Sequence, residues 1–173
     1  MGRLERHLET AKKWTLTSLR NRTARALQKA IRAEAGAFVG NVRCVVKTQM
    51  ATVHSPAGYC VCVTCGTSDT WNSGGIHAGH FLPGRSPHIV CEEVGIHPQC
   101  NYCNTFKAGA PMEYRVYMNA IYGVEVIERM EELKAGFVDG KRVEPPGRVE
   151  LVEMRMSYLD RIRDAERKLK TLL

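Results

Sequence analysis

Two close pairs of cysteines, Cys62-Val-Thr-Cys65 and Cys100-Asn-Tyr-Cys103, carry the strongest chemical signal in this sequence. A C-x-x-C segment sits on a tight turn, so both thiolates can reach one ion at roughly 2.3 Å. Two such turns complete a tetrahedron of four sulfurs. That site is closed, with no position for water, and suits a structural Zn²⁺ rather than a catalytic one. Gly66, directly after the first pair, suits the tight turn such a knuckle needs. Reduced core cysteines or a redox pair are the competing readings. Two pairs that flank a cluster of histidines favour metal. Cys44, Cys60 and Cys91 fall outside the spacing and read as buried thiols, with Cys60 the one that could compete as a ligand.

Four of the six histidines, His77, His80, His88 and His97, lie in the segment that the zinc would close. Gln99, Asn104 and Lys107 flank the second cysteine pair. A lone histidine is usually structural. Several of them gathered by a metal staple, beside a basic helix, point to chemistry.

These residues need elements to position them. Leu4, Leu8 and Ala11, then Leu16, Leu19, Thr23, Ala26/Leu27 and Ala30/Ile31, recur at three- and four-residue steps. No Pro or Gly interrupts Arg3 to Ala35, so one helix is expected over 3–35, ended at Gly36 and Gly40. Its polar face carries Lys12, Lys13, Arg20, Arg22, Arg25, Lys29 and Arg32. The bland reading is a solvated face; the functional one is contact with phosphates. Residues 42–54 are β-branched and read as extended. Residues 58–110 are rich in Gly, Cys and His without a long period. Residues 111–135 return to helix, with Gly123 separating two, and 139–147 form a turn-rich linker. In 148–173, Leu151, Met154, Tyr158, Ile162, Ala165, Leu169 and Leu172 make a heptad-like seam. It either packs on the protein's own core or joins two chains.

The 173 residues and 19.4 kDa suit one domain with a helical arm, and 44% apolar residues suffice for a modest core. Apolar runs are too short to span a bilayer, and the first residues lack a secretory pattern, so a cytoplasmic location is expected, that of the host cell if the chain is phage-encoded. Residues 1–50 hold eleven Lys and Arg against Glu5, Glu9 and Glu34, a net +8 in a chain of +7, which leaves the rest near −1. The basic charge belongs to one segment, and nucleic acid is the partner it fits.

Taken together, Cys62-x-x-Cys65-Gly66, His77-Ala78-Gly79-His80, His97-x-Gln99-Cys100-x-x-Cys103-Asn104 and Glu113-Tyr114-Arg115 resemble the NinG/Rap family of phage recombination endonucleases. The order of motifs also resembles the HNH nuclease module, in which a zinc knuckle pair scaffolds a hairpin followed by a helix. The resemblance covers roughly residues 58–133. It implies that His80 is the general base, taking a proton from the attacking water, which an imidazole does near its ordinary pKa. It implies that Asn104 is a ligand of a catalytic Mg²⁺ or Mn²⁺. His77 and His97 match the pattern, and either could ligate that ion or bind the phosphate. Gln99 would orient a neighbour, and Lys107 and Arg115 are candidates for phosphate contacts. Two positions depart from common HNH modules. Gly79 stands where an Asp ligand often precedes the base, which makes His77 the first substitute. Gly95 stands where an Asn often orients the loop or the base.

The expected fold is α+β: a small zinc-stapled ββα-metal core flanked by long N- and C-terminal helices. Its expected parts are a basic helical arm (1–40), the core (41–110), its helical extension (111–139), and a linker with the last helix (140–173). The expected function is metal-dependent DNA endonuclease action on branched intermediates such as Holliday junctions. The alternative is a non-catalytic zinc-stabilised DNA-binding accessory protein in phage recombination or packaging. A nuclease that resolves a symmetric four-way junction needs two active sites, hence a homodimer.

Overall fold

The computed structural model describes residues 1–84 and 86–173. The single helix expected over 3–35 is two, α1 (Arg3–Lys12) and α2 (Leu16–Gly36). No Pro or Gly makes the break. Thr15 turns extended, and its hydroxyl accepts the Ser18 N–H at 3.1 Å, which starts α2 afresh. The β-branched stretch is a hairpin rather than one strand. β1 (Gly40–Val46) pairs antiparallel with β2 (Gln49–Ser55) around Lys47 and Thr48, both at positive φ, as a two-residue hairpin turn requires.

The short strands β3 (Tyr59–Val61) and β4 (Ser68–Thr70) bracket the first cysteine pair. β5 (Ile76–His80) pairs with β6 (Ile96–Cys100), setting His77 opposite Gln99 and Gly79 opposite His97. A π-helical turn, Tyr102–Phe106, follows β6. Helices α3 (Pro111–Tyr122) and α4 (Val124–Ala135) meet at Gly123, whose φ of +87° favours glycine. The turn-rich linker holds a small hairpin, β7 (Phe137–Val138) with β8 (Lys141–Arg142), before α5 (Arg148–Leu172). This is a mixed α+β fold of helices and small two-stranded sheets. Among the described residues no helix is long and apolar enough to cross a membrane.

The N-terminal basic segment is no free arm. α2 buries Leu19, Leu27, Ala30 and Ala33, mostly against Leu151, Val152, Tyr158 and Ile162 of α5, and it also packs on β5 and β6. The heptad-like seam of α5 is therefore covered by the chain's own α2, and only Leu172 of its seam stays 43% exposed. Charge closes the same joint. Arg161 of α5 forks onto Glu34 at 2.7 Å and onto Glu93, and Arg148 donates to the carbonyls of Ala11 and Trp14 where α1 ends.

Candidate metal centre and active-site cleft

Cys62 and Cys65 sit on the turn between β3 and β4, Cys100 ends β6, and Cys103 lies on the π-helical turn. The first turn is tight because Gly66 takes a φ of +77° and donates its N–H to the Cys62 carbonyl at 2.9 Å. The four sulfurs all lie within 4.8 Å of one another, with Cys65 and Cys100 at 3.7 Å. A tetrahedron with zinc–sulfur bonds has edges of about 3.8 Å. The four cysteines could therefore hold a metal ion such as zinc. Among the described residues this is the one such cluster. Cys60 does not compete, since its thiol donates to the Arg32 carbonyl at 3.2 Å. Cys44 and Cys91 are buried elsewhere.

The β5–β6 hairpin and the π-helical turn form one wall of a pair of joined clefts, and α2 forms the other. His77, His80 and Asn104 line a cleft of about 310 Å³ with Gln28 and Arg32. A second, of about 450 Å³, shares Gln28 and His80 and adds Asn21 and Arg25. Asn21, Arg25, Gln28 and Arg32 recur at three- and four-residue steps, so one stripe of α2 faces the hairpin. The Asn104 amide donates to His77 Nδ1 at 2.9 Å, so these two side chains are within reach of a common ligand. His80 is half-buried, and its Nε2 has no hydrogen-bond partner among the described residues. Burial holds its pKa below the ordinary value, while a backbone contact with Val90 pushes the other way. The lowered pKa favours the neutral ring, which carries a lone pair on one of its nitrogens.

Other expected site residues are placed elsewhere. His97 lies outside both clefts, buried between two tyrosines. Its Nδ1 is 3.0 Å from the Tyr114 hydroxyl and its Nε2 2.9 Å from that of Tyr122, so no nitrogen is left for metal or phosphate. Burial pushes its pKa down to about 4. Gln99 is buried, bonding Thr64 and the Gly109 carbonyl. Lys107 is paired with Glu113 at 3.3 Å and Arg115 with Glu131 at 3.2 Å, and neither lines the histidine clefts. Of the basic residues of α1 and α2, Arg25 and Arg32 reach the clefts. Lys12 and Lys29 pair with Glu9 and Glu166, and Lys13 and Arg22 lie over the Trp14 ring. Arg20 is half-buried.

A side chain fills the space beside each of the two glycines. A Cβ on Gly79 would stand 1.9 Å from Gln99 Oε1, so the glutamine occupies the space an Asp would need. A Cβ on Gly95 would stand 2.2 Å from the terminal methyl of Met130, which α4 lays over the hairpin. The loop is oriented instead by Tyr114, fully buried, whose hydroxyl donates to the Gly79 carbonyl at 3.0 Å and faces that of Gly95 at 3.4 Å. Sequence reasoning did not single out Asn21, Gln28 or Tyr122. Nothing in residue type distinguishes them, and only the packing of α2 and α3 on the hairpin brings them in.

The fold and the centre define a small mixed α+β protein in which four cysteines that could hold a metal lie beside a histidine-bearing hairpin. The family model described as "Bacteriophage Lambda NinG protein" matches residues 3–168, and the chain belongs to the NinG family. Protein ninG of Salmonella phage P22 is 33% identical over 73 residues, which are 40% of this chain and 34% of that protein. Protein ninG of Escherichia phage lambda is 34% identical over 73 residues, 40% of this chain and 33% of its own length. The chain thus spans about a third of the length of the curated relatives it matches. No solved structure matches it.

Proposed function

We propose that this chain is a metal-dependent DNA endonuclease with an HNH-like core, acting on branched recombination intermediates such as Holliday junctions. The observation that carries the reading is the Nε2 of His80, without a partner among the described residues, where the two clefts join beside the His77–Asn104 pair. In the reaction, His80 Nε2 takes a proton from water, and the water oxygen bonds to phosphorus as the opposite P–O bond breaks. Arg25 and Arg32, on the facing wall, hold the phosphates by charge and orient the strand. His77 and Asn104 would hold the divalent ion, with phosphate oxygens adding the negative charge these neutral ligands lack. Bound Mg²⁺ or Mn²⁺ supplies charge stabilisation at the phosphate and the leaving oxygen. The branched substrate follows from the family resemblance, and a dimer that resolves it needs a face other than the covered seam of α5.

One observation favours the second reading, a non-catalytic zinc-stabilised DNA-binding accessory. No carboxylate is among the described residues that line either histidine cleft. The deciding experiment is cleavage of a four-way junction and a matched linear duplex, with Mg²⁺ or Mn²⁺, by the wild type and His80→Ala. Cutting by the wild type, with a variant that binds and does not cut, is expected. Binding without cutting by both makes the accessory reading the better account.

A further inference from the structure

Two aromatic rings stand in solvent on the turn that carries Asn104. Tyr102 is 62% and Phe106 74% exposed. Their centroids are 6.2 Å apart and their planes 28° from parallel, so the two rings present nearly aligned faces. They lie two residues to either side of Asn104. Leaving two aromatic rings in water forgoes the burial that favours such side chains elsewhere, and neighbouring exposed apolar groups mark contact surfaces.

The turn fixes the backbone that carries these rings. Cys103, between them, belongs to the four-cysteine cluster, and its carbonyl accepts the Gly109 N–H at 2.9 Å. The Lys107 N–H closes on the Tyr102 carbonyl at 2.9 Å, and the Lys107 ammonium lies 5.8 Å from the Tyr102 ring. Little backbone entropy remains to be lost when a ligand lands on the turn. Arg32 on the cleft wall and Lys107 on the turn supply positive charge, with Glu113 opposing at Lys107.

We propose that Tyr102 and Phe106 form a stacking platform for unpaired bases beside the cleft, so that the ligand is a nucleic acid with a single-stranded segment there. The inference rests on the nucleic-acid reading above. Duplex bases already have both faces covered by their neighbours, whereas an unpaired base offers a free π-face to an aromatic ring. The backbone of the same strand would run past Arg32 and Arg25.

The test compares the full, zinc-loaded chain with its Y102A/F106A and Y102W/F106W variants, without added Mg²⁺ or Mn²⁺. Fluorescence anisotropy measures binding to a single strand and to a duplex of the same sequence. In Y102A/F106A, single-strand affinity is expected to fall on the order of tenfold for each ring removed. Duplex affinity should change less than about twofold, and the tryptophan variant should retain single-strand binding. An equal loss on both ligands, or no loss on either, overturns the platform. The second of these leaves the rings to a protein partner. Binding here needs no cutting, so a failed cleavage test on His80 leaves this result readable. Conversely, an active nuclease that binds normally without the rings loses only the platform.

Discussion

Between α2 and α5 the chain buries Leu19, Leu27, Leu151, Tyr158 and Ile162 in one apolar seam. Around the cysteine centre it buries Cys60, Cys62, Cys100 and Cys103 with Ile76 and Ala110, while Val90, Cys91 and Ile96 of the neighbouring segments join the α2–α5 seam. The helical half has enough apolar surface to hold itself, and long helices bring that surface together at low cost in loop closure. The stapled half consists of strands of three to five residues. Such strands are marginal alone, and a metal held by the four cysteines would supply what burial cannot. The histidine clefts lie at the join. One wall is stiffened by α5 through α2, the other by the cysteine cluster.

The largest effect expected from this contrast is removal of the metal. Cys100→Ser should lose the ion and the order of β3 to residue 110, a cost on the order of 10 kcal/mol of local folding free energy by comparison with zinc-finger peptides. Elemental analysis with hydrogen exchange checks it. Protection should vanish from β5, β6 and the π-helical turn and persist in α2 and α5. A simultaneous loss in both halves would show one cooperative unit and remove the contrast.

Leu151→Ala acts on the other half. Leu151 is fully buried against α2, and its truncation should cost about 2–5 kcal/mol. Urea denaturation measures the loss, and metal content should stay at the wild-type level. Zinc lost together with stability would mean that the clefts' two walls depend on each other more than their contacts imply.

The third effect lies behind the hairpin, where β6 meets α3. His97 has a folded pKa lowered to about 4, below its ordinary value near 6.5. Between those values the unfolded chain takes up a proton that the folded one refuses. The stabilisation is therefore complete above pH 6.5 and is lost as pH falls toward 4, by about 3 kcal/mol in all. Urea midpoints of the wild type and His97→Gln across this range isolate the effect, because thiolate protonation is common to both. Parallel pH profiles would show that the ring is already charged between Tyr114 and Tyr122.

The cysteine spacing alone was enough to specify the cluster, because two C-x-x-C turns fix their sulfurs locally and need only a hairpin to join them. That His77, His80 and Asn104 share one cleft was also legible, since motif spacing follows strand and turn geometry. The helices around Gly123 and over 148–172 followed from their apolar periods. The break at Thr15 did not, since an N-cap can restart a helix without Pro or Gly. The roles of His97, Lys107 and Arg115 were not legible either. A histidine has the same letter whether it faces a cleft or two tyrosine hydroxyls, and a basic residue the same letter whether or not an acid lies across from it. The partner of the α5 seam was open in the sequence, because a heptad pattern is satisfied equally by another chain or by α2. Tertiary structure decided these points because each depends on which distant surfaces meet. Gln99 filling the space beside Gly79, and Met130 the space beside Gly95, are contacts between segments that no local pattern encodes.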